Sequence, residues 1–377
     1  MNLLSLFFKK CFEIICRYLP LQDKIVFDNF GGRGFGDNPK YIAQELLRRK
    51  TKAKLYWIVD NPNTPMPEGI KKINLKSFAY IYHVMTAKVY VDNIKHSHHL
   101  QKHEGQYYIQ TWHGSIPLKK IEQDAYGLGQ YYIINSVRHS IDIDLMYTNN
   151  DFMKEKMEKC FWYRGQVIKC DEPRISVILN PPSNLREKVC KYFNTDERKK
   201  IVLYAPTFRT NSTLDPYIWN YNRIFDPLKR MLGADITLLL RLHPNIADQA
   251  SSITYNDNVM NASSYPDMQE LLATADVLIT DISSTMFEFG ITHKPVFLIC
   301  KDLSNYMASE RDFYFSIDEL PFKMARDEAE LVNSINSFTT NGYVNKLDSF
   351  YKKIGLEESG NGDKKIADII EQRIANA

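Results

Sequence analysis

Val277-Leu278-Ile279-Thr280-Asp281-Ile282-Ser283-Ser284-Thr285-Met286-Phe287-Glu288-Phe289 is the stretch on which the fold turns. A short apolar run enters a polar turn, and the turn opens directly into a helix running on through Phe287 to Thr292. A strand passing straight into a helix is one half of a βαβ unit, the unit from which parallel sheets are built. Around it the same alternation repeats, with strands at Ile201 to Tyr204, Ile236 to Leu240 and Val296 to Ile299, and helices at Ile224 to Leu232 and Met268 to Thr274. These make one doubly wound sheet.

A second series lies upstream. Lys24 to Phe27, Lys54 to Val59, Lys88 to Val91 and Tyr107 to Gln110 read as strands, with helices at Pro39 to Arg49 and Leu75 to Met85 between them. At roughly 100 to 200 residues per domain, 377 residues accommodate two such sheets. Turn residues at Asp171-Glu172-Pro173-Arg174 and Asn180-Pro181-Pro182 mark the junction between Cys170 and Leu185. The expected organisation is a helix over 1–20, a first α/β domain over 21–180, a second over 181–350, and a closing segment over 351–377 with a helix at Lys364 to Ile374.

The totals exclude several classes. A formal charge of +3 is too small for a general nucleic-acid surface, so an anion site must be local. The six cysteines are scattered with no Cys-x-x-Cys pair, which argues against a disulfide framework or zinc site and for a reducing cytoplasm. No run reaches the ~18 apolar residues of a membrane span. The N-terminus lacks a signal peptide's early basic region and cleavage site, so it is expected to remain in the mature chain. There Leu3, Leu4, Phe7, Phe8, Cys11, Ile14, Ile15 and Tyr18 recur at helical spacing, opposite Lys9, Lys10, Glu13 and Arg17, up to Pro20. Such a helix either packs on its own domain or lies on an anionic membrane surface. The basic cluster Arg48 to Lys54 would extend that surface, or is simply a solvated helix end.

In open α/β sheets ligands bind beyond the carboxyl ends of the strands, so the residues following each strand are the candidates. They are Gly31-Gly32-Arg33-Gly34-Phe35-Gly36, Thr111-Trp112-His113-Gly114, Pro206-Thr207-Phe208-Arg209, Arg241-Leu242-His243-Pro244 and Thr280-Asp281-Ile282-Ser283-Ser284. Ser283-Ser284 opens a predicted helix, where unpaired backbone N–H groups and the helix dipole favour a phosphate. Taken alone, such a pair is a plain N-cap. His113 and His243 stand in different halves, and facing sheets would bring both to one cleft. A lone histidine is more often structural than catalytic, but the glycine and proline that follow these two allow sharp turns. The glycine loop departs from G-x-G-x-x-G and reads as a flexible cleft wall. His96-Ser97-His98-His99 lacks acidic or cysteine partners at ligand spacing. Asp142-Ile143-Asp144 precedes a strand and reads as structural.

In this order and spacing, Gln110-Thr111-Trp112-His113-Gly114 with Pro117-Leu118-Lys119, Tyr204-Ala205-Pro206-Thr207-Phe208-Arg209, Arg241-Leu242-His243-Pro244 and Thr280 to Ser284 resemble the CDP-glycerol glycerophosphotransferases of wall teichoic acid and capsule assembly. Asp37-Asn38-Pro39-Lys40, Val91-Asp92-Asn93 and Ser359 to Ile374 extend the likeness over most of the chain. The resemblance implies a GT-B fold, two Rossmann-like doubly wound domains facing across a cleft with the nucleotide on the C-terminal one. It implies that His113 is the base and that His243, Ser283 and Ser284 hold the donor's phosphates. Arg209 and Arg241 are then additional cations, with Thr207 and Asp281 also on the donor side. Gly114, Lys119, Gly32 and Gly34 fall on the acceptor side. Where the family often carries Gly-x-Pro-Arg-x-Asp, this chain has Asp171-Glu172-Pro173-Arg174-Ile175-Ser176, which puts roles carried over to that linker in question.

The implied reaction moves glycerol phosphate from CDP-glycerol to a hydroxyl of a lipid-linked acceptor, releasing CMP, at the cytoplasmic face of the membrane. Side chains and a helix end offset the charge, so no metal is obligatory, although bound magnesium is compatible. The alternatives are CDP-ribitol or another nucleotide-linked donor on the same fold, and a non-catalytic membrane-bound scaffold. One two-domain unit with a short amphipathic start leaves no room for a further large domain, which points to priming or single addition on a lipid-linked sugar and leaves a small capsule polymerase as the alternative.

Overall fold

Most of the strands form where β-branched, aromatic and leucine side chains run together. In the first half they are β1 (Gln22–Phe27), β2 (Lys54–Val59), β3 (Ile70–Asn74), β4 (Ala87–Asp92), β5 (Tyr107–Gln110), β6 (Leu145–Thr148) and β7 (Val167–Lys169). The second half has β8 (Lys200–Tyr204), β9 (Ile236–Leu240), β10 (Val259–Asn261), β11 (Val277–Thr280), β12 (Val296–Ile299) and β13 (Met324–Ala325). The computed structural model describes residues 3–95, 100–209, 213–309 and 312–376, without the side chains of residues 3–6, 308–309 and 376. The histidine loop at 96–99 lies outside the described residues.

Among the described residues the strands form two sheets, ordered β3-β2-β1-β4-β5-β6-β7 and β10-β9-β8-β11-β12-β13. All their pairings are parallel, as helices inserted between successive strands require. In each sheet the order reverses beside the first strand, between β1 and β4 and between β8 and β11. A crevice opens at the carboxyl ends where connections leave to opposite faces.

Burial on both faces explains the continuous apolar runs. In β9 all five residues, Ile236 to Leu240, are buried. Leu203 registers with Leu239 and Leu278, which ties the centre of the second sheet together. In the first sheet Phe27 registers with Trp57, and their rings stack at 5.7 Å. Trp57 is fully buried, its Nε1–H donating to the Gly34 carbonyl at 3.0 Å. The large indole thereby also anchors the glycine loop after β1.

The chain divides into two units, the first made of residues up to Ser115, Ile121–Ser176 and the residues from Glu357 on, the second of Ile116–Lys120 and Val177–Leu356. The final helix, Gly362–Asn376, therefore belongs with the first sheet. Its Ile366, Ala367 and Ile370 enter the core formed with Ile42, Ala43 and Leu46 of the helix Asp37–Arg48.

A helix runs over Leu3–Cys16. Phe12 and Cys16 pack against Ile81 and Met85 of the helix Phe78–Met85, and Glu13 is buried. Of the stripe read from the sequence, Phe7, Phe8, Ile14, Ile15 and Tyr18 are exposed, so the helix docks through a neighbouring face.

Gly362 is the tightest point of the C-terminal attachment. A Cβ there would lie 2.4 Å from the Asp171 carbonyl oxygen and 2.6 Å from the Pro173 nitrogen, both backbone atoms that cannot swing away. Gly362→Ala is expected to lower stability by about 1–3 kcal/mol through overpacking. The check is a urea melt showing a lower midpoint at unchanged slope.

Candidate active site

In the first unit the loop after β5 is shaped by buried amides. Gln110 accepts from the Trp112 N–H at 2.9 Å and donates to the Ile94 carbonyl at 3.0 Å. Asn38 donates toward the Thr111 and Trp112 carbonyls and to Glu172. These bonds hold Trp112 at φ 54°, a left-handed conformation costly for a bulky residue. The turn presents His113, with the Trp112 ring stacked on it at 4.3 Å and Phe30 at 5.4 Å on the ring as well.

The decisive contact is His113 Nδ1 to the Asn93 carbonyl, 2.8 Å. A carbonyl only accepts, so Nδ1 carries the proton and Nε2 of the neutral ring keeps its lone pair. Burial pushes the His113 pKa below the ordinary histidine value, against the opposing effects of the Asn93 bond and Asp37, so the ring is neutral at pH 7. Asn93 itself is fully buried, accepting from the Phe30 N–H at 2.8 Å and donating to Asn29 at 2.9 Å.

His243, after β9, has the opposite tautomer. Its Nδ1 accepts the Asn245 N–H at 3.2 Å, so the neutral ring carries its proton on Nε2 and is a donor there. Burial, then Lys119 and Arg241, push its pKa down as well. Phe208 stacks on the ring at 5.4 Å. One histidine is thus set to take a proton and the other to give a hydrogen bond.

The loops after β8, β11 and β12 are knotted by one arginine. Arg209 donates Nη1 to Asp281 at 2.8 Å and grips Asp302 with Nε at 2.7 Å and Nη2 at 2.9 Å. Asp281 also accepts from the Thr207 N–H at 2.7 Å and hydroxyl at 2.6 Å. The side chain that the sequence nominated as a donor cation is thus held by two carboxylates. Arg241 is similarly engaged, its Nη1 donating to the Ala262 and Tyr265 carbonyls at 2.9 and 2.8 Å. The helix expected to start at Ser283-Ser284 runs over Thr285–Gly290. Six residues give it a short dipole. The Ser283 hydroxyl bonds to that of Thr285 at 3.0 Å, and Ser284 is the N-cap without a side-chain capping bond.

On the first unit Gly32 donates its N–H to Asp28 at 2.7 Å with φ 84°, and a Cβ there would meet the Asp60 nitrogen at 2.6 Å. Gly34 has open space around its Cα and gives its carbonyl to Trp57. The loop read as a flexible wall is held at several points, the Arg33 N–H donating to the Asn29 carbonyl at 2.8 Å, Asn29 donating back to the Arg33 carbonyl at 2.7 Å and the Asp60 N–H donating to the Gly32 carbonyl at 3.0 Å. Gly114 lies beside Arg174, whose Nη2 would be 3.8 Å from a Cβ there, and Arg174 pairs with Asp37 at 3.1 Å. Lys119, placed on the acceptor side from the sequence, belongs to the second unit. Asp142 and Asp144 tie down Lys102 and the start of β5. Among the described residues no cluster of three or more metal-ligating side chains occurs.

Sequence reasoning passed over Asn93 and Asp302. Asn93 follows a predicted strand and was visible as part of Val91-Asp92-Asn93, but its work is done by a backbone carbonyl, which no residue type announces. Asp302 stands three residues past β12 and becomes significant only beside Arg209.

Two doubly wound parallel sheets, with His113 and His243 each in a loop beyond a strand's carboxyl end, place the fold in the GT-B class. The chain belongs to the CDP-glycerol:poly(glycerophosphate) glycerophosphotransferase family, whose pattern it matches over residues 12–372. It is 28% identical over 93% of its length to the teichoic acid poly(glycerol phosphate) polymerase of Staphylococcus epidermidis, of which it spans 50%. It is 26% identical to the Bacillus spizizenii protein of the same name, of which it spans 92%. The solved wall teichoic acid polymerase TagF superposes with a TM-score of 0.86 at 27% identity, covering 97% of this chain and 93% of that one, and a variant of it soaked with CDPG gives the same score. Since a relative of similar length is called a polymerase, length does not argue for single addition.

Replacing Arg209 tests the knot. Asp281 is fully buried, so Arg209→Met leaves its charge uncompensated and is expected to cost about 3–5 kcal/mol near neutral pH. Hydrogen bonds from Arg209 hold the Asp302 carboxyl below its ordinary value of 3.8. That contribution is therefore complete above pH 3.8 and is lost as pH falls through the depressed value. Denaturant midpoints of the two proteins should converge on acidification.

Proposed function

We propose that this chain transfers glycerol phosphate from CDP-glycerol to a hydroxyl of a lipid-linked saccharide or polyol phosphate acceptor, with release of CMP, in the assembly of a teichoic acid or capsule-type polymer. The observation that carries this reading is His113, with its Nδ1 proton committed to Asn93 and Nε2 open to a proton, in a chain that matches the family over nearly its whole length. His113 Nε2 takes the acceptor hydroxyl's proton while that oxygen bonds to phosphorus and the bond from phosphorus to CMP breaks. His243 donates Nε2–H to the diphosphate, and the hydroxyls of Ser283 and Ser284 add further donors. Side chains supply this charge offset, and turnover is expected to survive a metal chelator.

The test is incubation with CDP-glycerol, CDP-ribitol and UDP-sugars in turn, with a lipid-linked acceptor and mass analysis of the product. Glycerol phosphate addition from CDP-glycerol, abolished in His113→Ala with donor affinity kept within about three-fold, is the expected result. Product from CDP-ribitol alone replaces the donor, and full polymer synthesis by His113→Ala makes the protein a scaffold. Because the base must be neutral and its pKa is lowered, the acidic limb of turnover should have its midpoint below 6.5.

The reading places the enzyme peripherally on the cytoplasmic face of the membrane. Exposed Phe7, Phe8, Ile14, Ile15 and Tyr18 support it, and no described helix is long and apolar enough to cross a bilayer. Deleting residues 1–19 should lower binding to anionic vesicles, and unchanged binding would remove the N-terminal helix from the membrane contact.

A further inference from the structure

The segment after His113 changes units. The chain leaves the first at Ser115, and Ile116–Lys120 is built into the second. Lys119 bridges Phe313 in antiparallel fashion, the Lys120 N–H donates to the Asp312 carbonyl at 2.7 Å, and the Tyr314 N–H donates to the Leu118 carbonyl at 2.8 Å. Ile116 and Leu118 are buried, which fixes the segment further.

So held, the Lys119 ammonium stands over the Tyr306 ring, 4.8 Å from its centroid. Arg209 stacks on the same ring at 4.6 Å. Lys119 is also close enough to His243 to act on its charge. The two cations of the second unit that the sequence nominated are tied elsewhere, Arg209 to Asp281 and Asp302 and Arg241 to two carbonyls. Arg209 with its two carboxylates forms a group of net negative charge, so an anion bound beside it needs another cation. A lysine suits that place, because its ammonium is a compact charge with three rotatable donors on a flexible stem.

We infer that Lys119 is a donor-phosphate ligand of the second unit, binding the diphosphate of the cytidine-linked donor beside His243. This rests on the reading under Proposed function and moves a residue of the histidine loop's own sequence motif from acceptor to donor.

Calorimetry with cytidine, CDP and CDP-glycerol on the wild type, Lys119→Met and Lys119→Arg tests it. Methionine keeps an apolar stem over Tyr306 while removing the charge, and cytidine affinity within each variant reports an intact fold. Lys119→Met should bind CDP and CDP-glycerol about tenfold more weakly, the scale of one charge-assisted hydrogen bond, with cytidine unchanged and part of the loss restored by arginine. Unchanged CDP affinity overturns the assignment. So does an equal loss of cytidine and CDP, or a fall in turnover at intact donor affinity, which would return Lys119 to the acceptor. A wild-type protein that binds no cytidine nucleotide overturns the functional reading itself, and the assignment with it.

Discussion

The reversal of strand order beside the first strand of each sheet is the constraint from which the site follows. Parallel strands must be joined by crossovers, and where successive crossovers pass to opposite faces the carboxyl ends are left uncovered. In the first sheet the loops after β1 and β4 meet at that point, so Asn93 is bonded to Asn29 and Phe30 and its carbonyl is free to hold His113. In the second, the loops after β8 and β11 meet, and Thr207, Arg209 and Asp281 close into one network. Polar groups at these loops would be costly to bury singly, and each network satisfies its members against one another.

Chemical roles in the two units are set by tautomer and by which charges are already spent. A carbonyl beside one imidazole leaves Nε2 of neutral His113 an acceptor, and a backbone N–H beside the other leaves Nε2 of neutral His243 a donor, although both have lowered pKa values. Charge number alone would have chosen Arg209 and Arg241. Their hydrogen bonds show them holding loops, which is work that a planar guanidinium with several fixed donors does well.

The linker that departs from the family pattern also finds a physical reason in the fold. Asp171, standing where a glycine is usual, accepts from the Ser359 and Asn361 N–H groups and pairs with Lys365 at 2.8 Å. Ser176, standing where an aspartate is usual, donates to Asp363 at 2.9 Å. Both departures are directed at the segment that returns to the first unit and begins its last helix. Arg174, retained between them together with Pro173, sits beside Gly114 and pairs with Asp37.

The sequence by itself determined the two doubly wound sheets, because strands buried on both faces write their burial as unbroken apolar runs. It also picked out the loops that carry His113, Arg209, His243 and Asp281, since these directly follow such strands. It did not reveal β3, β7, β10 and β13, and these are the four edges. An edge strand is short or half-exposed, as Ile70–Asn74 with only its two isoleucines buried and the two-residue Met324–Ala325 illustrate, so little apolar pattern remains to read. Only the tertiary structure decided that the final helix returns to the first sheet, that Lys119 pairs with Phe313 in the second unit, and which nitrogen of each histidine bears the proton. Each depends on a partner far along the chain, often a backbone atom, and local sequence carries no record of what a backbone carbonyl will meet.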